Sequence, residues 1–256
     1  ITINFSDIGA TAGRQLFLNN QSDFAVSPIP FQPDETPILA SRNMTYSYLP
    51  IAAGGTAFMY NLRGVSDLKV SQRTAAKIFT GQITQWNDPA IVKDTGHAMP
   101  NERITPVVRA DSSGTSAVLS KFFVAQTPDI WSQFTRSQNY PNTFTQQWPQ
   151  FPGALAANLS EGVADLVNRT EGSITYVETS YAIQRNKPVA FVQNQSGFFT
   201  LPTAENVAIA LAAARLAPDR TQILDGVYDD PDKSAYPLSS YDYMIVRRDA
   251  AHLSAD

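Results

Sequence analysis

The chain predicts an α/β fold, on three observations. Strand-like and helix-like segments alternate from one end to the other, no repeat or low-complexity linker interrupts them, and most changes of element are marked by Gly, Pro or a helix-capping residue. With 256 residues, 43% of them hydrophobic, it can bury one large core or two smaller ones.

Ile1 to Phe5 alternates branched and polar residues and reads as a strand. Ser6 to Gly13 is a glycine-bearing turn that runs into the apolar stretch Leu16-Phe17-Leu18, a short helix. Asp23 to Ser27 reads as a second strand, closed by Pro28 and Pro30, which cannot continue a ladder. Tyr46 to Leu62 carries two strand-like runs around Ala53-Gly54-Gly55, where small residues allow a bend or a crossing. Ser71 caps a helix with Ala75, Ile78 and Phe79 at helical spacing, and Gly81 stands where a left-handed C-cap belongs. Trp86-Asn87-Asp88-Pro89 opens the next turn and helix.

Ile104 to Arg109 is a strand that runs straight into Ala110-Asp111-Ser112-Ser113-Gly114-Thr115-Ser116, and Val118, Leu119, Phe122 and Phe123 continue as a helix. Gly162 to Val167 reads as a helix and Ser173 to Val177 as a strand. Pro202 to Glu205 starts an Ala-rich helix over Val207 to Leu216, and Tyr241 to Val246 is the last strand.

Bulk chemistry removes several functions. A net charge of −4 and a pI near 5.2 offer no basic face for nucleic acid. Without Cys there is no thiolate site and no Cys nucleophile, and His97 and His252 are too isolated to suggest a metal, so neither metal nor cofactor is expected. Ser113 would need a histidine base to act as a nucleophile, yet His97 precedes a Pro100 turn and His252 lies in the tail; both read as solvent-facing. Asp229-Asp230 beside Pro231 reads as a solvated turn, and Trp86, Trp131 and Trp148 as packing rather than a sugar platform. No apolar run reaches the roughly 18 residues of a membrane span, so membrane association is expected only through a segment outside this chain. The start at Ile1 is neither an initiator Met nor a leader, which predicts a processing boundary there.

One segment carries chemistry. Between a strand end and a helix start, unpaired N–H groups point outward and the helix dipole favours negative charge, so the Arg109 to Ser116 loop suits an oxyanion. Gly114 permits close approach, Ser113 and Thr115 add hydroxyls, Arg109 offers a guanidinium fork, and Asp111 can hold that fork in position. The same residues also suit a plain N-cap.

Val107-Val108-Arg109-Ala110-Asp111-Ser112-Ser113-Gly114-Thr115-Ser116 closely resembles the Arg-Ala-Asp-Gly-Ser-Gly-Thr-Ser signature of the phosphate-binding proteins of the high-affinity phosphate ABC transporter. Ile78 to Asp88, Gly172 to Glu178, Ile8 to Gly13 and Tyr236-Pro237-Leu238 are similar, in order, to other segments of that family. The resemblance implies a type II periplasmic-binding fold, two α/β lobes joined by two crossing strands. One lobe would comprise residues 1–53 and 236–256, the other 54–235. It further implies an extracytoplasmic protein that binds inorganic phosphate or a related oxyanion for an ABC permease and is not an enzyme. Arg109, Ser113, Gly114 and Thr115 would contact the anion from the second lobe, and Ala10 and Thr11 would face it from the first.

The chain departs from that pattern in lacking the family's first strand, with its Gly-Ala-Gly-Ala-Thr-Phe-Pro loop, and its closing helices. A lobe of 1–53 and 236–256 has too little chain to cover both faces of its sheet, so the expectation is that either the chain is an excerpt of a longer protein or another segment substitutes for the missing strand and helix. Pro28 stands where the family has an anion-contacting Asp, which predicts either weak phosphate binding with little preference over sulfate or no physiological phosphate role. These departures leave open a second reading, a degenerate lobe of a larger surface protein kept for protein interaction or sensing.

Overall fold

The computed structural model describes residues 2–248. In chain order its elements begin with α1 (Ala10–Leu18), β1 (Phe24–Ser27), α2 (Thr36–Ser41), β2 (Tyr46–Asn61), β3 (Lys69–Val70), α3 (Gln72–Phe79) and α4 (Pro89–Thr95). They continue with β4 (Thr105–Arg109), α5 (Gly114–Gln126), α6 (Pro128–Ser137), β5 (Leu155–Ala157), α7 (Leu159–Arg169), β6 (Ser173–Glu178) and α8 (Thr179–Gln184). The last are β7 (Phe191–Gln193), β8 (Phe199–Thr200), α9 (Ala204–Ala212), β9 (Arg215–Leu216), β10 (Gln222–Ile223), α10 (Asp225–Tyr228) and β11 (Ser239–Arg247).

Six strands form the main sheet in the order β1-β11-β2-β6-β4-β5. The long β2 is its hinge point, because it changes partner midway. Tyr46 to Gly55 pairs antiparallel with β11, and Thr56 to Asn61 pairs antiparallel with β6. Leu49 to Ala53 in the first stretch are exposed, whereas Gly55 to Tyr60 are buried. One strand therefore serves two packing environments, and the two largest of the four buried clusters follow this division. Phe17, Leu39, Tyr48 and Ile245 belong to the smaller, around β1, β11 and α1. The larger gathers Phe58, Phe79, Trp131, Trp148 and Tyr176, with the two indoles 5.3 Å apart and Trp148 5.1 Å from Tyr176. All three tryptophans are buried, as packing residues should be.

The fold class matches the expectation from sequence, and so do the local signals. Ser71 accepts a hydrogen bond from the Thr74 N–H, Asp88 from that of Ala90, and Gly81 has φ 74°. Three expectations need correction. Residues 2–5 form no strand, and Ile3 and Phe5 are 68% and 63% exposed, because alternation alone does not make a ladder and no neighbouring strand pairs with them. The Ala-rich helix stops at Ala212, and Arg215–Leu216 instead pair with Gln222–Ile223. Asp230 is buried rather than solvated, its carboxylate accepting from the Asp232 N–H at 2.8 Å to close the turn. His97 is exposed, as read from sequence; His252 lies outside the described residues.

Candidate functional site

β4 is buried between β6 and β5, parallel to both, and its carboxyl end delivers Arg109 to the rim of the sheet. The chain then turns into α5. Ser113 is the N-cap, its Oγ accepting from the N–H groups of Thr115 at 3.1 Å and Ser116 at 3.4 Å. The Tyr176 hydroxyl fixes the base of this loop, accepting from the Arg109 N–H at 3.2 Å and sharing a 2.8 Å bond with Ser116 Oγ. The loop is thus anchored to the aromatic core.

α1 approaches from the other side. A Cβ added to Gly114 would lie 2.5 Å from Pro28 Cγ and 3.2 Å from the Ala10 Cβ, so the starts of α1 and α5 meet here and only glycine fits. Thr11 Oγ1 donates to Gln146 Oε1 at 2.7 Å and shares a 3.0 Å bond with Ser112 Oγ. Gln146 ties the two sides together, since its carbonyl also accepts from the Ser113 N–H at 2.8 Å. With the Ser113, Thr115 and Ser116 N–H groups already taken, the Gly114 N–H is the donor left at the α5 start, close to the start of α1, a place that suits a negative ligand.

Arg109 is buried, and its guanidinium is held on three sides. Nε and Nη2 donate to the two Asp111 oxygens at 2.7 and 2.5 Å, and Nη1 donates to Ser160 Oγ at 3.0 Å. Burial alone would push the Asp111 carboxyl up; the hydrogen bonds and charge of Arg109, with the Leu159 N–H at 2.9 Å, outweigh it and hold the carboxyl below the usual range. Asp111 therefore stays ionised and holds the Arg109 fork through both of its oxygens.

A cleft of about 490 Å³ opens beside these groups, lined by Ala10, Arg109, Ser113, Gly114 and Thr115. Thr11 points instead into the Gln146 contact and is not among its lining residues. The Thr115 hydroxyl is already committed, donating to Glu178 Oε1 at 2.6 Å. Sequence reasoning missed Gln146, Ser160, Glu178 and Asp242, the last three of which line the cleft. Gln146 lies in a stretch with no periodicity and Asp242 inside a strand pattern, so neither carried a local signal.

One six-stranded sheet whose long β2 changes partner midway, with a cleft beside the facing starts of α1 and α5, defines a two-lobed type II periplasmic-binding fold. The chain belongs to the PBP superfamily domain family, whose model matches residues 1–256. It is 30% identical over 253 residues to Phosphate-binding protein PstS 3 of Mycobacterium tuberculosis, covering 96% of this chain and 65% of that protein. Phosphate-binding protein PstS of Pasteurella multocida is likewise 30% identical, with 97% of this chain and 69% of that one covered. The structure of a high-affinity periplasmic phosphate-binding protein bound with phosphate superposes with a TM-score of 0.70 at 23% identity, over 96% of this chain and 74% of that one, a likeness of fold. The chain spans about 65% of the length of the first curated relatives it matches.

Proposed function

We propose that this chain forms the oxyanion-binding part of an extracytoplasmic solute-binding protein, which takes inorganic phosphate or a related oxyanion into its cleft for an ABC permease and catalyses nothing. The observation that carries this reading is the meeting of the α1 and α5 starts at Gly114 beside the oriented Arg109. The names of the relatives support the substrate class. Arg109, the Ser113 hydroxyl and the Gly114 N–H hold the anion from one lobe, with Thr115 beside them. Ala10 and Thr11 contribute backbone N–H groups from the other, and Asp111 positions Arg109. The lobes are 1–53 with 236–256, and 54–235, a division supported by the change of β2 partner between Gly55 and Thr56. Among the described residues no helix is long and apolar enough to cross a membrane.

A thermal-shift titration tests the reading. A ligand that binds only the folded state raises its melting temperature, so phosphate is expected to do so in a concentration-dependent way. No shift with phosphate, sulfate or any other oxyanion would favour the degenerate module kept for protein contacts.

A further inference from the structure

A second cavity, of about 330 Å³, shares a single lining residue, Pro28, with the cleft at Arg109. Its size falls among small-molecule sites. One wall is α5, through Val118 and Lys121; Ile29 closes another side, Phe144 a third, and Leu224 to Tyr228 the last. Most of this lining is apolar. Ile29 and Val118 belong to a small buried cluster of their own, and Phe144 packs against it.

Three polar side chains reach the lining, and the fold treats them differently. Gln222 is fully committed: Nε2 donates to the carbonyls of Pro28 at 2.9 Å and Tyr241 at 3.1 Å, and Oε1 accepts from the Tyr241 N–H at 2.7 Å. Lys121 and Tyr228 are not. Among the described residues Lys121 makes no hydrogen bond and no ion pair, and its Nζ lies 4.5 Å from the centroid of the Phe144 ring. Tyr228 is 3% exposed, and its hydroxyl is buried with no hydrogen-bond partner. The ring packs edge-on against Phe122 at 5.5 Å, a contact that a phenylalanine would make as well. Packing therefore explains the ring and leaves the hydroxyl unexplained, at the cost that an unpaired buried polar group carries.

Asp225 does not answer these needs. It is exposed, at the edge of the cavity, and forms no ion pair with Lys121. Burial lowers the Lys121 ammonium from its ordinary value and Asp225 only opposes this from a distance, so the cation lacks a close counter-charge. What the cavity lacks is an anionic acceptor, and what its walls offer is apolar contact. A carboxylate on an apolar body brings both. A second negative charge on the same ligand would meet Asp225, and inorganic phosphate has no apolar part to place against Ile29 and Phe144.

We propose that this cavity binds a small monocarboxylic acid with an apolar body, such as a medium-chain fatty acid, its carboxylate held by Lys121 and Tyr228, at a site separate from the oxyanion cleft. The inference goes beyond the oxyanion reading and stands without it.

Calorimetric titration of octanoate into the full chain tests it, with octanamide as the uncharged counterpart, suberate as the dicarboxylate of equal length, and each titration repeated in saturating phosphate. Octanoate is expected to bind once per chain with the same affinity whether or not phosphate is present, and octanamide and suberate at least about tenfold more weakly. Lys121→Met should lose at least about tenfold in octanoate affinity, and Tyr228→Phe about threefold or more, with phosphate affinity unchanged in both. Melting curves establish that both variants are folded. Absence of octanoate binding by the wild-type chain would overturn the inference, as would octanamide binding as tightly as octanoate, displacement of octanoate by phosphate, or unchanged octanoate affinity in folded Lys121→Met. Sedimentation addresses a second copy as the occupant: a wild-type dimer that Val124→Glu, at an exposed lining position, converts to monomer would assign the cavity to self-association and overturn the proposal.

Discussion

Arg14 and Arg109 make the same kind of bond in two different places. Arg14, on α1, is completely buried: Nε reaches Glu35 at 3.0 Å, Nη1 donates to Ser27 Oγ at 3.0 Å and Nη2 to Gln146 Oε1 at 2.7 Å. Glu35 is equally enclosed, accepting in addition from the Gln32 N–H at 2.7 Å and Gln15 Nε2 at 3.2 Å. Arg109 has a comparable set of partners, but its carboxylate is 23% exposed and its flank lines a cleft. The residue type is shared; the difference is whether anything from outside can reach the charge. A saturated, enclosed pair holds the smaller core to the loop at Gln146. A pair at a cleft wall, with three of the five guanidinium N–H groups used, can present the others to a ligand.

The largest expected effect comes from breaking the enclosed pair. Arg14→Ala leaves the Glu35 carboxylate buried without its counter-charge, which should cost about 3–5 kcal/mol of stability. Denaturant unfolding measures it, and a loss under about 1 kcal/mol would mean that the pair is less enclosed than the structure has it. Arg109→Ala comes next and acts on a different quantity. It removes a charge-assisted contact to a bound anion, about 2–4 kcal/mol of binding by calorimetry. It should cost less stability than Arg14→Ala, because water in the cleft can solvate Asp111. Equal stability losses with intact anion binding would erase the distinction between the two arginines.

What could be read in advance follows the range of the interactions. The Arg109 to Thr115 loop was legible because its geometry is local: a strand ends, a capping Ser follows, and the helix N–H groups are presented within seven residues. β2 and β11 were legible from apolar runs broken by Ala53-Gly54-Gly55 and Tyr236-Pro237. Glu178 was quoted only as part of a strand motif, since its Thr115 partner is 63 positions away. Arg14 and Glu35 lie 21 positions apart, and neither one's spacing reveals that each neutralises the other. The strand read over residues 1–5 failed for the complementary reason. Alternation describes a face, and a ladder also needs a partner that no local pattern supplies.

Asp242 extends the comparison to a cleft carboxylate with no arginine at all. Burial, then the Glu178 charge, raises its carboxyl from 3.8 to about 6. Between those values the folded state holds a proton that the unfolded state has lost, so stability falls as pH rises through the window, and the cost is fully present above about 6. Asp242→Asn should therefore stabilise the anion-free protein by about 1–2 kcal/mol near pH 7.5, after allowance for its partial exposure, and not at all below pH 4. Urea unfolding at the two pH values checks this. A variant less stable than wild type at the higher pH would mean that a partner compensates Asp242.

The smallest effect belongs to a third arginine, which tests whether enclosure rather than bonding sets the scale. Arg73 and Asp129 form a two-point pair at 3.0 and 2.7 Å, as good in geometry as either buried one, yet their side chains are 57% and 60% exposed. Water competes for both groups, and ordering two long side chains offsets most of what the pair gains. The hydrogen bond from Arg73 comes first in holding the Asp129 carboxyl below its usual range. The Ile130 N–H at the start of α6 adds to this, so Arg73→Gln should move that carboxyl only part of the way back in an NMR titration. Because the folded carboxyl is depressed, its contribution is present above the ordinary carboxylate range and lost as pH falls through the folded value. At neutral pH Arg73→Gln is expected to leave the unfolding midpoint and the anion affinity unchanged within measurement. A destabilisation approaching that of Arg14→Ala would show that bond geometry outweighs enclosure here, and the contrast between Arg14 and Arg109 would need another cause.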